Sequence, residues 1–279
     1  NALKVVTSGN RNTAVGSLAA TSLTTGNDNT VLGYQALKNN TTGASNVAIG
    51  KDALLANSTG NNNIAIGTSS LLGNTTGFSN IAMGLDSALS NTTGNDNLAI
   101  GQSALRLNTT GLANTAIGRS ALSATTTGNY NSALGWQSLA GNTTGIDNVA
   151  VGYNAGRYDT TGTAAMTTSS FSVYLGASTK GLNATGSVNE TVIGNAAVGL
   201  GSNSTVIGNS STTKAAIYGA LDLPNATESS SSTTGALKVA GGVGIAKSLT
   251  IGSTTASSST ATGALKVAGG AGIAGAIYA

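Results

Sequence analysis

Short apolar phrases closed by glycine run through the first half of the chain: TAVG at 13–16, TVLG at 30–33, VAIG at 47–50, IAIG at 64–67, and so on to VAVG at 149–152. The residue before the glycine is aliphatic in every copy, from Val15 to Val151, and the residue two places earlier is mostly β-branched or apolar. Alanine stands between them everywhere except at Val31. Alternation with period 2 predicts a short strand with one aliphatic face and one very small face. An alanine-only face admits another backbone at close range. A leucine following a second alanine or a serine (Leu37, Leu54, Leu71, Leu105, Leu122, Leu139) adds another apolar contact in these copies.

The spacing of these phrases is constant. Gly16, Gly33, Gly50, Gly67, Gly84, Gly101, Gly118, Gly135 and Gly152 recur with a period of 17, and a second glycine row runs from Gly9 to Gly162 at the same interval. Asparagine forms a third row that includes Asn29, Asn46, Asn63, Asn80, Asn97, Asn114, Asn131 and Asn148. Both glycine rows read as corners where a positive φ costs little. Such a repeat is too short for a strand, a crossover helix and another strand. It suits one coil of a β-solenoid, with two short strands joined by two turns and an advance of about 4.8 Å per coil. The asparagine row then stacks as a ladder of side-chain amides, a structural rather than catalytic use. Each coil offers only about three apolar side chains, so the small alanine face predicts that neighbouring chains complete the core. The expected architecture is all-β: an elongated homotrimeric β-solenoid of 17-residue coils, followed by shorter coils and a region of 28-residue β-repeats.

Four segments follow from where the pattern changes. The 17-residue repeat occupies 1–162. Segment 163–219 is irregular, with Ala165 standing where asparagine is due, VYLG at 173–176, and TVIG at 191–194 and again, at a closer spacing of 14, at 205–208. Segment 220–234 is a connector holding the only proline, Pro224, and a Ser/Thr run. In 235–279 the phrase GALKVAGGVGIA, starting at Gly235, returns as GALKVAGGAGIA, starting at Gly263. Both ends fall inside a repeat, so a longer protein is expected.

Composition removes most chemistry. Charged residues make up 8% and hydrophobic ones 39%, which supports burial without a charged coat. The chain has neither Cys nor His, so a disulfide framework, a Cys/His zinc site and a histidine base are all excluded. Its 12 Lys/Arg are scattered and give a net charge of +3, with no basic cluster for nucleic acid. No catalytic group, cofactor or metal site is expected. GGVGIAKS (241–248) and GAGIAG (270–275) approach phosphate- and dinucleotide-binding phrases, but the lysine vanishes in the next copy and no helix pattern follows. The NTT triplets match an N-glycosylation pattern as a by-product of the repeat.

The variable positions read differently. Directly after the first glycine row stand residues as unlike as Ser17, Tyr34, Lys51, Arg119, Trp136 and Tyr153. Such freedom places them outward or in tolerant contacts between chains. Tyr34, Trp136 and Tyr153 are candidate stacking surfaces for host glycans, with packing across subunits the weightier reading.

The phrases SNVAIG, NNIAIG and STVIG resemble the head repeats of YadA-like trimeric adhesins, which form a left-handed parallel β-roll around a shared threefold axis. NTTGxxNxAIGxxAL, SNSTVIGNSSTTKAAIYG and TTGALKVAGGVGIA look like the shafts of bacteriophage tail fibres, notably those of cyanophages and other marine phages. The resemblance spans 1–219 and 233–279, and the period of 17 departs from the 14 of the adhesin heads. It implies a non-enzymatic shaft on a virion tail that positions a host-receptor-binding tip. The implied partners are two further copies of the chain, other tail or baseplate proteins, and a host glycan or protein receptor met outside this segment. The alternatives are a cellular trimeric adhesin or extracellular filament module, and a monomeric threonine-rich solenoid that binds ice.

Overall fold

The computed structural model describes residues 2–3 and 7–216. The connector at 220–234, the repeats at 235–279 and the glycine-rich phrases inside them lie outside the described residues. Residues 2–3 and 7–215 belong to one compact unit.

Twelve short strands carry the aliphatic phrases: β1 (Thr13–Val15), β2 (Thr30–Leu32), β3 (Val47–Ile49), β4 (Ile64–Ile66), β5 (Ile81–Met83), β6 (Leu98–Ile100), β7 (Thr115–Ile117), β8 (Ser132–Leu134), β9 (Val149–Val151), β10 (Val173–Leu175), β11 (Glu190–Ile193) and β12 (Ser204–Ile207). They stack in chain order into one parallel sheet, each pairing in register with the next, as in Val47↔Ile64 and Ile64↔Ile81. The fold is an all-β solenoid, and no helix occurs among the described residues.

Each 17-residue coil contributes one regular strand, not the two expected. The far wall, built from the Ala-Leu half of the repeat, is not extended: Gln35 and Leu37 take φ of 56° and 49°, and the same two positions are left-handed in the coils that follow. Its backbone still bonds from coil to coil, as in Leu37 N–H to Ala53 O (2.9 Å) and Asn39 N–H to Leu55 O (3.1 Å). A non-glycine residue in this region costs about 1–2 kcal/mol. Complete burial of the leucine, worth about 1.5–3 kcal/mol, offsets that strain where it arises.

The small and aliphatic strand faces are both present, but their roles are reversed. Ala48, Ala65, Ala82, Ala99 and Ala116 point inward and are fully buried, packed in one core with the leucine row of their own coils. The alanine face therefore closes against the chain's own far wall and does not await a neighbour. So short a coil encloses room for a methyl, a leucine and amide groups, and only the small face fits inside.

The two glycine rows also differ. Gly50 stands at a true corner with φ of 131°. Gly60 has no positive φ; a Cβ there would run into Gly77 O and Asn57 Oδ1. Its row is glycine because coils approach closely, not because the chain turns.

Beyond β9 the register step changes. Val149 pairs with Val173, Val173 with Thr191 and Thr191 with Thr205, so the step lengthens to 24 and then shortens to 18 and 14. The extra residues of the longest step leave the coil as a hairpin closed by an antiparallel bridge between Tyr158 and Ala165, with Gly162 N–H bonded to Asp159 O at 2.9 Å. Ala165 thus belongs to the hairpin, and Ser172 takes the position that follows Asn148, its N–H donating to Asn148 Oδ1 at 3.1 Å.

The next coil is repacked. Gly156 occupies the leucine row, and a Cβ there would meet the ring of Tyr174, which replaces the inward alanine. The large and small residues have exchanged walls. The Tyr174 hydroxyl donates to Glu190 Oε2 at 3.1 Å, and Gly201 N–H satisfies Oε1 at 2.7 Å. Burial is the main force pushing the Tyr174 hydroxyl pKa above its ordinary value; the nearby Glu190 charge adds to it, and hydrogen bonds with Ser169 and Ser172 oppose it. The native fold thus retains a proton that the unfolded tyrosine releases near pH 10. The associated stability is present below that pH and is lost as pH rises above it. Tyr174→Phe is expected to lower stability by about 1 kcal/mol at pH 8 and to flatten the decline between pH 9 and 11. Equal alkaline slopes for the two proteins in urea unfolding would contradict this account.

Candidate interaction surface

The asparagine row lies wholly inside and joins three coils at each step. Asn80 N–H and Nδ2 donate to Asn63 Oδ1 (3.0 and 3.2 Å), and Nδ2 also reaches Gly94 O (2.8 Å). Asn80 Oδ1 in turn accepts from Asn97 N–H and Nδ2, both at 3.1 Å. Asn29, Asn46, Asn63, Asn97, Asn114, Asn131 and Asn148 are buried in the same way. Gly16 to Gly152 stand in column one residue beyond the strands, and all have positive φ.

A second ladder escaped the sequence reading. Asn40, Asn57, Asn74, Asn91 and Asn108, the first residues of the NTT or NST triplets, are buried, and each from Asn57 onward donates to the Oδ1 of the one before at 2.8–2.9 Å. Their recurrence at the common period was the available signal. Burial also closes these asparagines to glycosylation in the folded chain.

The ladder breaks where Thr125 replaces asparagine, leaving Asn108 Oδ1 buried without a partner, and it ends at Asn142, whose Oδ1 is likewise unpartnered because no asparagine donates to it from the following coil. Thr125→Asn restores a donor to the first and an acceptor for the Asn142 amide. A buried orphan costs about 1–3 kcal/mol. The substitution is expected to stabilise the protein by about 1 kcal/mol, read as a higher denaturant midpoint. A lower midpoint would mean that the threonine hydroxyl, now bonded to Asn142 O at 3.0 Å, matters more than the ladder.

With the interior full, the outer rows are what the protein offers to others. The residues on either side of each inward small residue face out, aliphatic throughout the second row and aliphatic or Thr/Ser in the first: Val15 is 57% exposed, and Leu32 and Leu134 49%. Neither outward row contains a charged residue from Thr13 to Val151. The result is an apolar ribbon one strand wide and about 40 Å long at about 4.8 Å per coil. Monomers rarely leave so continuous an apolar surface uncovered.

One residue beyond the ribbon's glycine corner lie Tyr34, Trp136 and Tyr153, each about half exposed. Trp136 and Tyr153 occupy successive coils and meet edge-to-face, with ring centroids 5.4 Å apart. The Arg119 guanidinium lies 5.7 Å from the Trp136 ring centre on the preceding coil. Tyr34 stands six coils from Trp136, about 29 Å away, and joins no aromatic partner among the described residues. The structure therefore assembles two of the three residues singled out in the sequence.

In the threonine pairs, the first hydroxyl is tied to the next coil, as in Thr41 Oγ1 to Ser58 O at 3.1 Å, and the second residue is exposed. Only one threonine row thus faces outward. Among the described residues no three His, Cys, Asp or Glu gather into a metal-binding group, and no helix is long and apolar enough to cross a membrane. Comparison with protein-family models, curated proteins and solved structures found no match. Fold and surface together define a β-solenoid repeat protein with a sealed polar-and-apolar interior and an outward apolar ribbon.

Proposed function

We propose that this chain forms the shaft of a bacteriophage tail fibre, in which three copies stand around one axis and hold a host-receptor-binding tip away from the particle. The observation that carries the reading is the uncharged aliphatic ribbon on the outer face of the sheet. Leaving it in water forgoes about 25 cal/mol per Å² of apolar surface, and three narrow ribbons facing a common axis would bury one another along their length. The subunit contact lies on this ribbon and not on the alanine face. The role is mechanical, with stacked coils and interlocked chains resisting unfolding and proteolysis. The phrases that resemble tail-fibre shafts favour a virion over a bacterial cell surface.

Light scattering tests the assembly first. A mass near three times the 26.9 kDa chain, retained in mild detergent, is expected. A stable monomer would overturn the trimer. Antibody against the chain is expected to decorate tail fibres on phage particles by electron microscopy. Label confined to a bacterial surface would replace the phage reading with a cellular adhesin.

A further inference from the structure

We propose that the ledge formed by Arg119, Trp136 and Tyr153, with Arg157 at its side, binds an acidic carbohydrate chain. This inference does not depend on the fibre reading. The ledge lies beyond the glycine corner that ends the apolar ribbon. Its row carries Lys51 and Arg119 in other coils, and the Lys51 side chain is 62% exposed, so the row accommodates charge where the ribbon has none.

Three features give the ledge its chemistry. The first is rigidity: Gln137 N–H bonds to Arg119 O and Asn154 N–H to Trp136 O, both at 2.9 Å, which fixes the backbone that carries the three residues on consecutive coils. The coil advance of about 4.8 Å is close to the length of one pyranose unit in an extended polysaccharide. The second is the pairing of ring surface with planar polar groups. Trp136 and Tyr153 offer apolar faces and edges to the C–H faces of sugars. The Arg157 guanidinium lies 4.4 Å from the Tyr158 ring centre, donates to Asn154 Oδ1 at 3.2 Å and also to Gln137 Oε1. It thereby holds two amide side chains beside the rings.

Charge is the third feature. The ion pairs among the described residues are Arg11–Asp28 and Lys51–Asp52, so neither Arg119 nor Arg157 is neutralised by a carboxylate there. An unpaired, planar guanidinium matches a carboxylate in bidentate fashion. This favours a uronic-acid polymer over a neutral one. The hairpin at 158–165, an excursion from an otherwise repetitive wall, begins at Tyr158, on whose ring the Arg157 guanidinium rests.

Trp136 is the only tryptophan in the chain, so its fluorescence reports on the ledge alone. The full chain is titrated with galacturonic acid oligomers and, in parallel, with neutral galactose oligomers. A saturable change in emission is expected with the acidic oligomers, weakening as salt is raised. Tyr153→Ala is expected to lower affinity about tenfold, the loss of one ring contact. Arg119→Gln is expected to lower affinity and reduce the salt dependence. Both positions are exposed, so unchanged melting of the variants verifies their fold. No saturable response, an equal response to the neutral oligomers, or affinity unaffected by both substitutions would overturn the proposal. So would tryptophan emission that shifts only when chains dissociate, since that would place the ledge within a subunit contact. The mass from light scattering is read separately, so failure of the trimer and failure of the ledge remain distinguishable.

Discussion

Asn80→Ala is expected to destabilise the protein by about 2–4 kcal/mol although the residue lies outside the strands. The substitution removes both donors to neighbouring coils, but Asn63 Oδ1 keeps the residue 80 N–H and Gly94 O keeps the Asn91 amide at 3.0 Å. The Asn97 N–H has no such reserve, because Asn80 Oδ1 is its acceptor. One buried donor is orphaned at about 1–3 kcal/mol, and several weaker bonds and some packing go with it. Asn61 supplies the control: it is exposed, and its Oδ1 accepts the Ala44 N–H at 2.7 Å. Water can replace that bond, so Asn61→Ala is expected to cost less than about 0.5 kcal/mol. Urea midpoints of the two variants decide the matter. Equal losses would mean that the inner amides add nothing beyond what any surface asparagine contributes.

Ile100→Lys is expected to reduce the proposed trimer to a monomer while leaving the β-sheet signal in circular dichroism intact. Ile100 belongs to the outward ribbon, and a lysine there would bring three ammonium groups to a shared apolar axis, each costing several kcal/mol to desolvate. Its neighbour Ala99 points inward and is fully buried. Ala99→Leu overfills the coil and is expected to cost about 1–3 kcal/mol of stability, as overpacking does, with the contact surface itself untouched. Were the alanine face the contact surface, the results would be exchanged: the leucine would disturb assembly and the lysine would be tolerated. Light scattering and thermal melting of the two variants distinguish these outcomes. A trimer that survives Ile100→Lys would move the interface elsewhere.

The sequence by itself determined the solenoid. A strict period, an apolar-Ala-apolar phrase in each copy and glycine at fixed positions leave little but a stack of coils, because identical neighbours in space follow from identical residues at one period. It also placed Asn29 to Asn148 in a ladder, since a polar residue invariant across copies has its own counterpart as nearest partner. The pairing of Trp136 with Tyr153, and the isolation of Tyr34, follow from the same interval once the coil is accepted.

Tertiary structure decided what alternation leaves open. A period of 2 distinguishes two strand faces but not which one is inside; the narrowness of the coil settled that in favour of Ala48 and its equivalents, and turned Val47 and Ile49 outward. The far wall was no more legible, because left-handed φ at Gln35 and Leu37 is stabilised by bonds to adjacent coils that local propensity does not contain. The Asn40 ladder was concealed by its likeness to a modification signal, and burial alone reassigned it. The exchange of Gly156 and Tyr174 across the core is a relation between residues on opposite walls, which no strict period predicts. Period identifies neighbours along the stack; only the closed coil shows which side chains share the space within it.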